Sequence, residues 1–498
     1  MVKRLKANLP LVAIAGVSAL SLGMGAALVN TVSSSGDTSV VLEESLLPGL
    51  GHLTANHTDD PVLALALQLA DQRQEALMAA IEGREPLSRS RAKYLLALDL
   101  INSDRGGQAI PLLEGLEGEY RAMAPYVALA LAQAQRASGL ADAAQQTQQR
   151  ILEEYGDDGA IAPLLFDLGQ QDPAYWDQLV QKFPSHPKAV EVAHQRLTAD
   201  PHRADALPML MIMARSGLHH PNAGAALLRL KTEFASQLSP EDWQTVGFGF
   251  WRIDSYGDAA TAYAQAPPSP RNLYRAARGY QVTSRRDRAI ALYNQLDQQF
   301  PDAPETATGL LRLSQSVSDQ AALGVLDQVV NRFPDRAAEA LLERAKILDK
   351  LNSAESAQGT RELILKEYKD SDAAAEIRLN NARNAAEQGD LTMALSWGGD
   401  VLKHSPDSDL AADAGYWVAK WGRQLGQNDV AQNALESVIA RHPESYYAWR
   451  AAVALGWNVG DFKTVRSQVP AVAPLAQRQP LPTGSDTLQE LYLLGQDQ

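Results

Sequence analysis

FPDAPETATGLLRLSQSVSDQAALGVLDQVVNRFPD, residues 300–335, decides the fold. It opens on Phe300-Pro301-Asp302 and closes on Phe333-Pro334-Asp335. Just before the second copy, Leu323, Leu326, Val330 and Phe333 fall at steps of 3, 4 and 3, one face of a helix. Leu341, Ala345, Leu348 and Leu351 make the same pattern after it. Pro334 separates the two, because it lacks a backbone donor and disfavours helix at the residue before it. Asp335 then falls in the next first turn, where its charge complements the helix dipole. The punctuation recurs as Tyr368-Lys369-Asp370, Ser405-Pro406-Asp407 and His442-Pro443-Glu444, with middle positions 33, 35, 37 and 37 residues apart. A repeat of that length predicts a stack of helical hairpins.

The spacing and helical layout resemble the tetratricopeptide class. The consensus Trp and Gly-Tyr positions are mostly missing, so the resemblance is to a divergent member. The predicted fold class is all-α, a superhelical solenoid of tetratricopeptide-like hairpins after an N-terminal signal or anchor helix. Upstream the same punctuation is fainter, at Phe183-Pro184-Ser185 and Asp200-Pro201, and helical faces fall at 92–102, 126–137 and 142–155. Pro267, Pro268 and Pro270 form the clearest internal break. The expected organisation is a signal peptide or membrane anchor at 1–35, an irregular helical-hairpin region at 40–266 and a tetratricopeptide-like region at 271–460. A Pro-rich linker with a short helix follows at 461–498.

The 498 residues exceed one compact core, but in a solenoid each repeat packs only on its neighbours. Aromatics are scarce at 6% while Ala and Leu abound, which suits closely approaching helices. A formal net charge of -14 argues against nucleic acid as a partner. There is no cysteine, which excludes disulfides, thiolate zinc sites and iron–sulfur clusters and suits an oxidising compartment. Lys3, Arg4 and Lys6 precede an uncharged run from Leu9 to Val29, followed by Ser33, Ser34, Ser35, Gly36 and Asp37. The run approaches the ~20 residues that span a bilayer. It reads either as a membrane anchor or as a cleaved signal, with a weak cleavage site at Gly25-Ala26-Ala27. In both cases the expected location of the remainder is periplasmic or extracytoplasmic.

Motifs for chemistry are sparse. There is no phosphate-binding Gly loop, His-Glu-x-x-His helix or Gly-x-Ser-x-Gly elbow. His219-His220 lacks companions at ligand spacing and reads as an interhelix turn. The Glu-Ser pairs at 44, 355, 436 and 444 read as helix surface or caps. Trp417 and Trp421 sit four apart beside Tyr416, which suits packing between hairpins better than a sugar platform. No cofactor is called for. After Trp457, Pro470, Pro474, Pro480 and Pro482 interrupt the pattern. Leu488, Leu491, Tyr492 and Leu494 then form a short apolar face with nothing after it to pack on.

RHPESYYAWRAAVALGW, from Arg441 to Trp457, resembles the last turns of the superhelical body of the soluble lytic transglycosylases, which cleave peptidoglycan. Pro443, Ser445, Tyr446 and Tyr447 carry the match. LPTGSDTLQELYLLGQ, from Leu481 to Gln496, resembles the segment that joins that body to a lysozyme-like catalytic domain. The resemblance covers the non-catalytic part alone. The family's catalytic Glu comes with Gly-Leu-Met-Gln and Ala-Tyr-Asn-Ala-Gly motifs, and no Glu here has them, so no catalytic residue is assigned. The resemblance implies an exported region that holds glycan strands, inactive by itself, with the catalytic domain expected beyond Gln498. It makes Tyr446, Tyr447 and Trp449 the candidate contacts to a glycan strand or to that domain. The alternative is a membrane-anchored tetratricopeptide scaffold that binds envelope proteins.

Overall fold

The computed structural model describes residues 60–457, 459 and 478–496. The expected signal or anchor at 9–29 lies outside the described residues. Among those described, every regular element is helical, and no helix is long and apolar enough to cross a membrane.

The array begins with α1 (Pro61–Ala66), α2 (Ala70–Ile81), α3 (Pro86–Asn102), α4 (Gly106–Leu113), α5 (Leu116–Glu119), α6 (Ala124–Ala137) and α7 (Ala141–Glu154). It continues through α8 (Ala162–Leu168), α9 (Pro173–Lys182), α10 (Pro187–Ala199), α11 (Ala206–Ser216), α12 (Ala223–Glu233), α13 (Pro240–Arg252) and α14 (Tyr256–Tyr263). Regular hairpins follow: α15 (Pro270–Val282) with α16 (Arg286–Gln299), α17 (Pro304–Ser314) with α18 (Asp319–Arg332), and α19 (Pro334–Lys350) with α20 (Ala354–Glu367). Then come α21 (Asp372–Glu387) with α22 (Leu391–His404), α23 (Asp409–Gln424) with α24 (Asn428–Arg441), α25 (Tyr446–Ala454) and, last, α26 (Asp486–Leu493).

Two kinds of turn alternate. Where an even-numbered helix ends, the aromatic-Pro-acid signal marks the turn, but only at 333–335 does it also start the next helix. There Pro334 is the first residue of α19 and Asp335 lies in its first turn, whereas Asp302, Asp370, Asp407 and Glu444 precede the cap positions Ala303, Ser371, Ser408 and Ser445. The next hairpin's side chains then dock on these turns. Arg332 donates to the Pro301 carbonyl at 2.5 Å, and His442 Nε2 to that of Pro406 at 2.9 Å. At the ends of α15, α19, α21 and α23 the chain passes through a left-handed residue: Ser284 (φ 61°), Asn352 (φ 56°), Gly389 (φ 83°) and Gly426 (φ 73°). The following amide reaches back five residues, as in Arg285 N to Tyr280 O at 2.8 Å and Ser353 N to Leu348 O at 2.8 Å. This is the Schellman closure, which satisfies carbonyls left over at a helix end.

From α19 to α25 successive odd-numbered helices touch one another, while even-numbered helices make no comparable contact. The array therefore bends toward its odd-numbered layer. The Pro267–Pro270 turn joins α14 to α15, with Ser269 accepting from Asn272 N at 3.2 Å. One core cluster runs through it, from Ala128 to Tyr263 and Ala276.

The expected unpaired face of α26 requires correction. Leu493 and Leu494 are buried in a cluster with Val62, Leu63, Leu95 and Leu116, and Leu491 and Tyr492 pack against it. Of that face Leu488 alone is exposed. Beneath them Arg91, whose side chain has no solvent exposure, pairs with Glu490 at 2.5 Å and Asp60 at 2.8 Å. The Tyr120 hydroxyl donates to Glu490 as well, and Thr487 Oγ1 donates to Ala122 O at 2.8 Å. Burial works against charge on Arg91, yet the bonds and field of the two carboxylates hold its pKa above the usual value. The last described helix thus seats on the first ones.

Two outcomes follow for urea unfolding. Glu490→Ala leaves a buried guanidinium short of one partner and should cost about 3 kcal/mol, with amide exchange accelerated first in α26. Ser284→Gly removes a left-handed side-chain penalty and should raise stability by about 0.5–1 kcal/mol, net of the entropy glycine adds to the unfolded chain.

Candidate interaction surface

The residues singled out near the C-terminus come together on the odd-numbered layer. Ser408 and Ser445 start α23 and α25 by accepting from Leu410 N at 3.3 Å and Ala448 N at 3.0 Å. These caps fix the registers of both helices. On α23, Tyr416, Trp417, Lys420 and Trp421 share one face; on α25, Tyr446, Tyr447, Trp449 and Arg450 lie against it.

The structure divides the three candidate contacts. Tyr447 is half-buried, packs into the cluster of Tyr416, Ala434 and Ala451, and meets the Tyr416 ring at 5.6 Å. Burial, then the nearby Asp413 carboxylate, push its phenol pKa upward. Asp413 is itself paired with Arg383 of α21. Tyr447 is therefore a packing residue. Tyr446 and Trp449 are 61% and 45% exposed, with ring centroids 6.0 Å apart. Exposed Val453 extends the same face by one turn. These residues are a surface, contiguous and apolar.

Cations frame this surface. Arg450 donates to Tyr446 Oη at 2.9 Å and to Tyr416 Oη at 2.8 Å. Lys420 Nζ sits 4.4 Å above the Trp417 ring. Trp417 and Trp421 stack at 5.9 Å, and Trp421 is 4% exposed, enclosed with Ala382 and Ala394. The pair is thus interhairpin packing. The arrangement can bind apolar or aromatic groups with a cation alongside; it holds no acid, base and nucleophile set.

Elsewhere the remaining motifs within the described residues take structural places, and Glu44-Ser45 lies outside them. Glu355 lies in the first turn of α20, and Glu444 precedes the Ser445 cap. His220 accepts from Asn222 N at 3.1 Å in a turn and lies 4.3 Å, ring to ring, from His194. Among the described residues no group of His, Asp and Glu could hold a metal ion.

Residues 413–445, which span most of α23 and all of α24, match the tetratricopeptide repeat family. No curated protein matches the sequence. Among solved structures, the chain is similar to the C-terminal part of a TPR repeat-containing protein from Cytophaga hutchinsonii. That likeness has 12% identity, covers 48% of this chain and 98% of that one, and has a TM-score of 0.31. It is also similar to a human IFIT1 dimer with PPP-AAAA, at 14% identity, covering 80% of this chain and 95% of that one, TM-score 0.28. The fold is an all-helical array of hairpins, one of which matches a tetratricopeptide repeat.

Surface and core are distinguishable by substitution. Trp449→Ala should change unfolding free energy by less than about 1 kcal/mol, whereas Trp421→Ala should cost about 3–5 kcal/mol, both read from urea melts.

Proposed function

We propose that this chain is an interaction scaffold, and more specifically the exported, non-catalytic superhelical region of a lytic transglycosylase-like protein in peptidoglycan turnover. The observation that carries the scaffold reading is the exposed Tyr446–Trp449–Val453 face beside Lys420 and Arg450, on the layer where successive hairpins touch. Aromatic faces with adjacent cations stack on sugar rings as readily as on peptide side chains. The resemblance at 441–457 and 481–496 favours the glycan, with the basic flank and apolar run at 3–29 supplying export. In the family implied, a Glu in a lysozyme-like domain protonates the glycosidic oxygen between N-acetylmuramic acid and N-acetylglucosamine. The muramoyl 6-hydroxyl then closes an anhydro ring. The scaffold's part in that reaction is to hold the strand.

Tetratricopeptide-like folds also receive protein segments along a groove, so the second reading is a membrane-anchored scaffold for envelope proteins. Co-sedimentation of the full chain with insoluble peptidoglycan separates the two. The glycan reading expects pelleting with the sacculi, release on Tyr446→Ala/Trp449→Ala, and no clearing of a peptidoglycan gel by the chain alone. Failure to pellet, with a defined envelope protein captured through the same two residues, would favour the second reading instead.

A further inference from the structure

A second site lies in the middle of the array, around α15. Residues 271–288 carry six arginines against a single acid, Asp287, in a chain whose net charge is -14. Arg271, Arg275 and Arg278 are at i, i+4 and i+7, one face of α15. Arg271 and Arg275 line a cavity of about 280 Å³ between α11, α13 and α15, together with Arg215, Gln244, Phe248 and Tyr263. Arg312 of α17 continues the basic surface beyond Arg278.

The charges here are uncompensated. Most of the chain's ion pairs neutralise an arginine, and Arg215 itself meets Asp242 at 2.7 Å. Among the described residues, none of Arg271, Arg275, Arg278 and Arg312 has a carboxylate within ion-pair distance. Arg275 is instead held by geometry. Its guanidinium lies 5.5–5.7 Å from the ring centroids of Phe248, Trp251 and Tyr263, and it donates to Tyr263 Oη at 2.5 Å. Asn272, 3% exposed, fixes the floor by donating to Gln244 Oε1 and Pro267 O, both at 2.9 Å. Like charges four apart on a helix repel, and a half-buried guanidinium is partly stripped of water. Both costs are relieved by an anion from outside.

Size and field narrow that anion. The cavity lies at the low end of small-ligand sites, roughly 300–1,000 Å³, enough for one or two side chains. It is confined between helices, so a single side chain reaches it where a flat polyanionic surface does not. Phe248, 42% exposed, offers an apolar contact at its rim. Arginine clusters recognise acidic segments by paired N–H···O bonds.

We propose that this pocket binds an acidic peptide segment, with a carboxylate held by Arg271 and Arg275 and a neighbouring apolar side chain on Phe248. The site rests on the scaffold reading but is independent of the aromatic face. Fluorescence anisotropy tests it, using the full chain at low ionic strength and a short labelled peptide of glutamate, glycine and one phenylalanine. The expected result is saturable binding. It should weaken at least about tenfold with glutamine in place of glutamate, and likewise with Arg271→Glu, whose exposed side chain leaves thermal unfolding unchanged. Trp449→Ala should retain the binding. No binding of the acidic peptide, equal binding of the glutamine peptide, or binding indifferent to Arg271→Glu overturns the proposal. Loss with Trp449→Ala alone moves the peptide to the aromatic face and leaves the scaffold reading standing. Stronger Arg271-dependent binding of inorganic phosphate or phosphatidylglycerol vesicles assigns the pocket to phosphate and also overturns it.

Discussion

At several crossing points consecutive helices approach so closely that there is no room for a side chain, and much of the architecture follows from that. A Cβ at Gly279 would stand 2.5 Å from the Tyr256 carbonyl across the α14–α15 contact. One at Gly398 would stand 2.6 Å from Val418 across α22–α23. Alanines fill the neighbouring positions, among them Ala276, Ala277, Ala374 and Ala375, all fully buried. Close approach gains dispersion contacts at low side-chain entropy cost. It also fixes the step from one hairpin to the next, which sets what can meet across the odd-numbered layer. Arg450 of α25 reaches the Tyr416 hydroxyl of α23 because the step is short.

One half of the repeat's punctuation was legible in the sequence and the other half was not. Proline announces the turns after the even-numbered helices, since it alters the backbone wherever it stands. The turns after α3, α13, α15 and α19 depend on left-handed residues, and at Asp104, Asp254, Ser284 and Asn352 these are not glycine. A polar residue in that conformation looks like any other surface residue. The seat of α26 was hidden for a different reason. Helical periodicity reports that a face is apolar but not what covers it, and here the cover lies 399 residues upstream at Arg91.

The candidate surface was partly legible. Aromatic residue types at 446, 447 and 449 were plain; which of them is packed was decided by Tyr416 on the preceding odd-numbered helix. The arginine pocket escaped because charge was judged over the whole chain, where 59 acids mask 45 bases. The spacing of Arg271, Arg275 and Arg278 carried the signal. The two sites share a layer but differ in chemistry, one stacking and one ionic, so a partner segment is discriminated by which of the two it suits.

The burial of Arg91 bears on kinetics. In a linear array of hairpins each unit leans on its neighbours, and the ends come loose first. Here the two end regions share one buried charge, so loosening either exposes the same guanidinium. A flexible chain closing a loop of this length would lose roughly 5 kcal/mol of entropy. The intervening hairpins meet that cost by presenting both ends in place, which means the contact forms after they do. Interactions absent from the folding transition state slow unfolding without speeding folding. The Arg91–Glu490 pair therefore acts on the lifetime of the folded array, more than on how quickly it is reached.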